Sequence, residues 1–198
     1  MKTIKRSAVA LTLCLAFAAL LAACDSQGTR EIALNAFLND QGAYEYKDAA
    51  LGSTFSAVEK SLGRPLGQAF ESADGGGRKG YVVAGVYECN GIQANVGYEF
   101  ADDKLRSMVF RFDGGGTELF DYITDKLNAV YGAPTDSAIK SADLEPSDEA
   151  YDYLGQHVET TRHRWESASE DDNSLLQLSI TQGINIGTLV QLGVNIFP

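Results

Sequence analysis

Cysteine and histidine are scarce in this chain, which contains three of the first and two of the second. Cys14 and Cys24 belong to the N-terminal segment, so Cys89 is the only thiol downstream and cannot form an intramolecular disulfide. His157 and His163 are separated by about 20 Å on a strand, too far for a shared metal ion. We therefore predict no disulfide, no metal site and no cofactor, with Cys89 as a buried apolar side chain.

Basic residues are also few. There are 16 Lys and Arg against 27 Asp and Glu, a net charge of −11. Three of the basic residues precede residue 7, so the chain from residue 24 onward carries 13 basic and 27 acidic residues, a net charge of −14. Nucleic acids and anionic lipid headgroups are bound through positive patches. The composition therefore argues against a nucleic-acid partner and against direct docking on lipid headgroups.

Catalytic groupings are missing from the sequence pattern as well. Neither a Ser–His–Asp nor a Cys–His grouping can be assembled from the spacing. The acidic pair Asp102–Asp103 and the acidic run at 170–172 lack the alternating oxygen ligands and central glycine of a calcium loop. We interpret both as solvated turns and predict that the protein is not an enzyme.

An uncharged run of small and apolar residues, residues 7 to 23, is shorter than the roughly 20 residues of a membrane-spanning helix. Basic residues precede it, as in a secretory signal peptide. The sequence Leu21-Ala22-Ala23-Cys24 then matches the bacterial lipobox, in which the cysteine is acylated. We predict a signal peptide at 1–23 and lipidation of Cys24. Several acyl chains on Cys24 would anchor the protein durably to the cell membrane, on its outer, extracytoplasmic side.

A short helix is predicted where Phe55, Val58 and Leu62 share one face. Thr54 is its candidate N-cap and Gly63 its stop. Residues 24–43 are polar apart from one apolar patch, and we interpret them mainly as a tether. Residues 44–198 then form a single domain.

Strands follow this helix, and the order then repeats. Asn90–Gly91 predicts a type I′ hairpin between two strands, and residues 104–112 form a third. A second helix, with Thr117 as its cap, carries Leu119, Ile123, Leu127 and Val130 on one side. A loop at 135–156 precedes strands at 159–165, 174–180 and 187–197. We expect an α+β fold of two tandem helix-plus-antiparallel-sheet units, residues 44–112 and 113–198.

The capped helix ending in Leu62-Gly63-Arg64-Pro65, followed by a meander, carries a resemblance. It resembles the unit of the β-lactamase inhibitor protein fold and of the related SmpA/OmlA outer-membrane lipoproteins. The second half contains a similar but weaker pattern, at Leu127, Tyr131, Gly132 and Pro134. The resemblance implies a non-enzymatic domain that presents the solvent-facing side of its sheet to another protein.

The predicted solvent-facing strand positions are rich in amide and hydroxyl groups and carry no charge, although the rest of the chain is strongly acidic. Interfaces deplete charge at their centres and enrich tyrosine. We therefore expect a protein-interaction or envelope-assembly module. The alternatives are a small-ligand-binding lipoprotein and, less favoured, a cell-wall hydrolase. The predicted protein-binding residues are Tyr81, Tyr87, Gln93, Asn95, Gln177, Gln191 and Asn195.

Overall fold

The computed structural model describes residues 29–67, 69–71, 79–112, 114–144, 155–167, 173–183 and 188–196. The predicted signal peptide and Cys24 lie outside these residues. The described elements, in chain order, are β1 (Arg30–Glu31), α1 (Phe55–Leu62), β2 (Ala69–Glu71), β3 (Lys79–Cys89), β4 (Ile92–Ala101), β5 (Lys104–Phe112), α2 (Gly116–Tyr131), β6 (Asp136–Asp143), β7 (His157–Glu166), β8 (Ser174–Gly183) and β9 (Thr188–Ile196).

All nine strands belong to one sheet, in the order β1-β3-β4-β5-β9-β8-β7-β6, with β2 pairing beside β3. Only β1 runs parallel to its neighbour, β3. The halves of the chain meet where β5 pairs with β9, from Ser107 opposite Asn195 to Phe112 opposite Val190. The predicted fold of two tandem helix-plus-sheet units is therefore wrong. The chain forms a β-rich fold around one large mixed sheet.

The joining of the halves has a physical reason in β5 and β9. Two separate sheets would each leave one of these strands as an edge, with unpaired backbone groups and apolar side chains beside them. In the single sheet, Met108 lies opposite Val194 and Phe110 lies opposite Leu192, and all four side chains are fully buried. The sequence pattern predicted both β5 and β9 as strands, but it gave no indication that they pair with each other.

The hairpin turns follow the local sequence. Asn90 and Gly91 have φ angles of 51° and 76°, as a type I′ turn requires, so the predicted hairpin is confirmed. Asp102 and Asp103 also have positive φ, at 51° and 58°. Asp is one of the few residue types that tolerates this conformation, and these two residues form the β4–β5 turn.

The helices differ in how they start. In α1 the Thr54 side chain accepts a hydrogen bond from the Ala57 N–H, and Gly63 ends the helix in the left-handed conformation, as predicted. In α2 the N-cap is Gly115, with φ 78° and no side-chain cap. The predicted cap, Thr117, lies inside the first turn instead. A side chain at 115 would meet the Leu119 Cβ at 2.6 Å, so glycine is required there.

One face of the sheet carries the core. Val96, Phe110, Leu178 and Leu192 pack there together with apolar residues of both helices. Trp165, predicted to be buried, is 1% exposed in the same cluster and lies opposite Leu176.

The segment before α1 contributes to this core. Ile32, Phe37 and Tyr46 are buried, and the Phe37 and Phe110 rings meet edge to face with centroids 6.3 Å apart. The tether prediction is therefore wrong for the described part of 24–43, because this stretch covers the middle of the sheet. Its single apolar patch, at residues 32–38, was the signal for packing.

Part of the predicted 135–156 loop is a strand. β6 occupies Asp136–Asp143 and pairs with β7 from Asp136 opposite Arg164 to Asp143 opposite His157. Its residues are half-buried or exposed on both faces. An edge strand with no buried face has no hydrophobic alternation, so periodicity could not reveal it.

Candidate functional site: the open face of the sheet

The sheet face turned away from the core is called the open face here. Its central row runs across five strands, as Asn95, Arg111, Gln191, Ser179 and Arg162. Each residue lies directly opposite the next, and each alternates with core residues along its own strand. Four of them are half-buried, whereas Ser179 is only 5% exposed. The row therefore presents amide and guanidinium groups on a shallow, partly shielded surface.

A second row lies one step along the strands. It contains Gly97, Val109, Gly193, Gln177 and Arg164. A Cβ on Gly193 would lie 2.7 Å from the Met108 carbonyl oxygen and 2.9 Å from a Val109 methyl. Only glycine fits here, because the backbone of β5 at Met108 and Val109 and the Val109 side chain occupy the space that a Cβ would need.

Five of the seven predicted binding residues lie on the open face. Asn95, Gln177, Gln191 and Asn195 are half-buried, and Gln93 is exposed near the β3–β4 turn. The Asn195 Oδ1 accepts a hydrogen bond from the Ser107 hydroxyl at 2.6 Å. The alternation of β4, β8 and β9 was therefore interpreted with the correct face outward.

The two predicted tyrosines lie on the other face. Tyr81 packs against Phe55 with ring centroids 4.8 Å apart. Tyr87 is fully buried, and its hydroxyl donates to the Asp48 carboxylate at 2.9 Å. Burial, a nearby Tyr98 and the Asp48 carboxylate raise the pKa of Tyr87 above its usual range. Both tyrosines pair with core-facing residues of β4, namely Tyr98 and Ala94, which removes them from the predicted interface.

The open face is also charged, contrary to the sequence-based expectation. Arg111, Arg162 and Arg164 stand among its amides. The pattern of β7 did not place Arg162 and Arg164, because this strand shows no clean alternation. Arg111 alternates with the buried Phe110 and Phe112 of β5, which is the signal that could have placed it on this face. Arg162 donates to the Asp136 carboxylate at 3.0 Å, and the Arg164 Nε donates to Gln177 at 3.1 Å. Arg111 and Arg162 are three strand spacings apart, about 14 Å.

Three apolar side chains on this face are buried without joining the main core. They are Leu175, Leu189 and Val158, at 1%, 8% and 6% exposure. Leu189 and Val158 lie toward the β8–β9 turn, and Leu175 lies toward the opposite end of β8. The open face is therefore shielded at both ends of β8, as well as at Ser179 in its central row.

Cys89 is confirmed as a buried residue, with no exposed surface. Burial, with a smaller contribution from the Glu31 carboxylate, raises the pKa of its thiol to about 12. The thiolate is the nucleophilic form of cysteine, and it is essentially absent at neutral pH with such a pKa. Cys89 therefore packs the core and does not react.

A cleft of about 770 Å³ lies where β6, β7 and β8 meet. It brings together Ser141, Asp143, His157 and Glu159. The sequence pattern did not indicate this proximity, because residues 135–156 were predicted to be a loop. The Asp143 carboxylate contacts the His157 Nδ1, but these side chains are 61% and 65% exposed. The structure records no hydrogen bond between Ser141 and His157, although an activated serine needs that contact.

His163 is enclosed more than His157. Its ring stacks on Phe120 with centroids 5.3 Å apart, and its Nδ1 lies 2.8 Å from the Ser137 hydroxyl. Burial lowers the pKa of His163 below its usual value. The two histidines point to the same face of β7 but have different partners.

Within the part of the chain that the structure describes, no group of three or more His, Cys, Asp or Glu side chains is arranged to hold a metal ion. Asp103, considered above as part of an acidic pair, accepts a hydrogen bond from the Phe55 N–H at 3.3 Å. Its role is therefore to help cap the start of α1.

No protein-family model, curated protein or solved structure matches the chain. The resemblance to the β-lactamase inhibitor and SmpA/OmlA families therefore rests on the Leu-Gly-x-Pro motif alone. Neither described helix is both long and apolar enough to span a bilayer.

Proposed function

We propose that this protein is a lipid-anchored envelope protein that binds a partner protein through its open face, without catalysing a reaction. The observation that carries the proposal is the central row from Asn95 to Arg162. It crosses β4, β5, β9, β8 and β7 with polar groups, while both helices pack on the other face.

The distribution of charge on this face supports an interface. Arginine is enriched at protein interfaces, whereas lysine and carboxylates are depleted at their centres. The middle of the open face has arginines and amides, and the carboxylates stand at its margins: Glu88 and Glu99 toward the ends of their strands, Glu166 at the end of β7, and Asp136 on the edge strand.

The proposed anchor would hold the domain near the membrane. If Cys24 is acylated, five residue steps separate it from Thr29, the first described residue. Five residues span at most about 18 Å when extended. The predicted tether of 20 residues is therefore replaced by a short one, and a partner of the open face is expected within the same envelope layer.

The cleft at His157 is the specific observation that favours the hydrolase alternative. Its polar groups are largely exposed, so water screens their charges. A catalytic His–Asp pair is normally desolvated and fixed by its surroundings, with its nucleophile in hydrogen-bond reach. The solvated arrangement supports the binding function instead.

Site-specific photo-crosslinking in cells tests the interface. A photoreactive residue at Asn95 or Gln191 should give an adduct with one discrete protein. The same residue at Ser56 or Ala57, which are exposed on α1, should not give that adduct. Equal adducts from both surfaces, or none from the open face, would contradict the proposed interface.

The anchor needs a separate measurement. Cys24→Ser should leave an unprocessed precursor and abolish labelling by a fatty-acid analogue. Normal maturation and labelling of that variant would show that the lipobox interpretation is wrong.

A further inference from the structure

The two edges of the sheet are treated differently by the fold. The β3 edge is flanked by β1 at Tyr87–Glu88 and by β2 at Lys79–Tyr81. The β6 edge has β7 on one side and no described strand on the other. Six of the eight residues of β6 are exposed, and Ile139 is 68% exposed, the most of any large hydrophobic side chain among the described residues. An uncovered edge of this kind can accept another strand.

The backbone groups that β6 offers can be identified from its hydrogen bonds. The Leu144 N–H donates to the Gln156 carbonyl at 2.7 Å, which fixes the even-numbered positions of β6 as those bonded to β7. Backbone direction alternates along a strand, so Ser137, Ile139 and Ser141 point their N–H and C=O groups outward. These outward groups are the ones that a further strand would bond.

The charges of β6 are complementary to those of a second, antiparallel β6. A two-fold axis perpendicular to the sheet keeps each face on its own side, so the pairing must be centred on one residue. Centred on Ala138, it places Asp136 opposite Lys140 of the second copy, twice by symmetry. A pairing centred on Lys140 places two lysines opposite each other. A pairing centred on Ile139 places Asp136 opposite Ala142 and Lys140 opposite Ala138, so neither gains an opposite charge.

We propose that β6 pairs with β6 of a second copy of this chain, in an antiparallel register centred on Ala138. Ser137 of each copy then exchanges main-chain hydrogen bonds with Ile139 of the other. The two Ile139 side chains become diagonal neighbours on the same face, close enough to shield each other from water. The two sheets merge into one, and their open faces lie side by side.

Charge exchange tests this pairing with the purified full chain, by sedimentation velocity. Lys140→Asp alone places aspartates opposite each other, and Asp136→Lys alone places lysines opposite each other. Either change should weaken dimerisation by roughly tenfold or more. An equimolar mixture of the two variants should dimerise again, because both pairs between positions 136 and 140 are then Asp–Lys. Lys126→Asp, on the exposed side of α2, makes the same change in net charge as Lys140→Asp and should leave the dimer intact.

A disulfide tests the register independently. Because Ala138 bonds to β7, its pairing with Ala138 of the second copy is of the non-hydrogen-bonded type, with Cα atoms about 4.5 Å apart. That separation suits a disulfide. Ala138→Cys should therefore crosslink two copies under oxidation, whereas Ala142→Cys should not exceed the background of the unsubstituted chain.

Three results would overturn the proposal. One is a chain that stays monomeric at all concentrations. Another is a dimer that survives both single charge changes. The third is a combined result: the mixture of the two charge variants does not dimerise although circular dichroism shows that both are folded, and Ala138→Cys forms no crosslink.

Discussion

The two faces of the sheet are built from the same strands under different constraints. Along β5, Met108, Phe110 and Phe112 have no exposed surface, whereas Val109 and Arg111 between them are half-buried. The core face must fill a closed space with apolar side chains, so its substitutions are expected to change stability. The open face has no described helix packed on it, so most of its substitutions are expected to change binding.

The largest expected effect tests the core face. Trp165→Ala should lower the free energy of unfolding by about 3–5 kcal/mol, as is usual when a large aromatic side chain is removed from a core. Trp165 is 1% exposed, and its indole N–H donates to the Gly132 carbonyl at 2.9 Å. Denaturant unfolding measures the loss. Trp165→Phe keeps most of the ring and should cost clearly less; equal losses would mean that the hydrogen bond dominates.

The next effect concerns the polar group at the edge of the core. Tyr87→Phe removes the hydroxyl that donates to the Asp48 carboxylate, itself 3.6 Å from Arg30. Hydrogen bonds to charged groups contribute about 1.5–3 kcal/mol, and a loss in this range is expected on chemical denaturation. Tyr122→Phe, on the half-buried side of α2, is the matched control and should change stability by less than about 0.5 kcal/mol.

The same hydroxyl makes stability depend on alkaline pH. Burial raises the pKa of Tyr87, so the folded protein keeps a proton that the unfolded chain loses above about pH 10. Stability is therefore complete below that pH and falls as the pH rises. The decrease of the unfolding free energy with rising pH should be shallower in Tyr87→Phe than in the unsubstituted protein, as measured by denaturant unfolding at several alkaline pH values. An unchanged slope would mean that the other buried tyrosines cause the decrease.

A glycine marks the exception on the open face. Gly193→Ala should cost about 1–3 kcal/mol, because the new Cβ would lie 2.7 Å from the Met108 carbonyl. Gly97 is in the same row on the other side of Val109, and a Cβ there would meet its nearest atom at 3.9 Å. Gly97→Ala should therefore be nearly neutral in thermal melts. A similar loss at both positions would mean that strand flexibility, and not the close contact with Met108 and Val109, requires glycine.

The sequence predicted features that depend on neighbours along the chain. The Asn90–Gly91 turn, the Thr54 cap and the alternation of β4, β8 and β9 each follow from a few adjacent residues. The pairing of β5 with β9 depends on residues 78 to 88 positions apart, and it joins the two expected units into one sheet. β6 has no buried face, so its sequence pattern resembles that of a loop. Tyr87 was expected on the solvent-facing side because the sequence does not show that Asp48 binds its hydroxyl in the interior.

The candidate site shows the same limit. Alternation placed Asn95 and Gln191 on the open face, but it could not place Arg111 between them, because that neighbour relation comes from the sheet register. The expectation of an uncharged interface therefore changes to one of amides organised around arginines. A charge introduced at Asn95 or Gln191 will therefore lie next to the positive charge of Arg111.

The smallest expected effect on stability tests the open face. Asn95→Glu and Gln191→Glu place a carboxylate beside Arg111, and Asn95→Lys and Gln191→Lys place a like charge there. Surface substitutions of this kind usually change the free energy of unfolding by no more than about 0.5 kcal/mol.

The same substitutions should nevertheless abolish the photo-crosslinked adduct at the neighbouring open-face position. A charge buried at an interface centre without a partner is costly to desolvate. The glutamates would in addition attract the Arg111 guanidinium, which lies opposite both positions, and so change the charge at the centre of the face. Charge reversals at Asp102, to Lys and to Arg, are the matched control in the β4–β5 turn: they should alter the association rate and its salt dependence but keep the adduct, and they leave the Asp103 carboxylate that helps cap α1 in place. If the turn reversals abolish the adduct while the Asn95 and Gln191 substitutions keep it, the partner binds the acidic turns, and the open face is no more than the solvated side of the sheet.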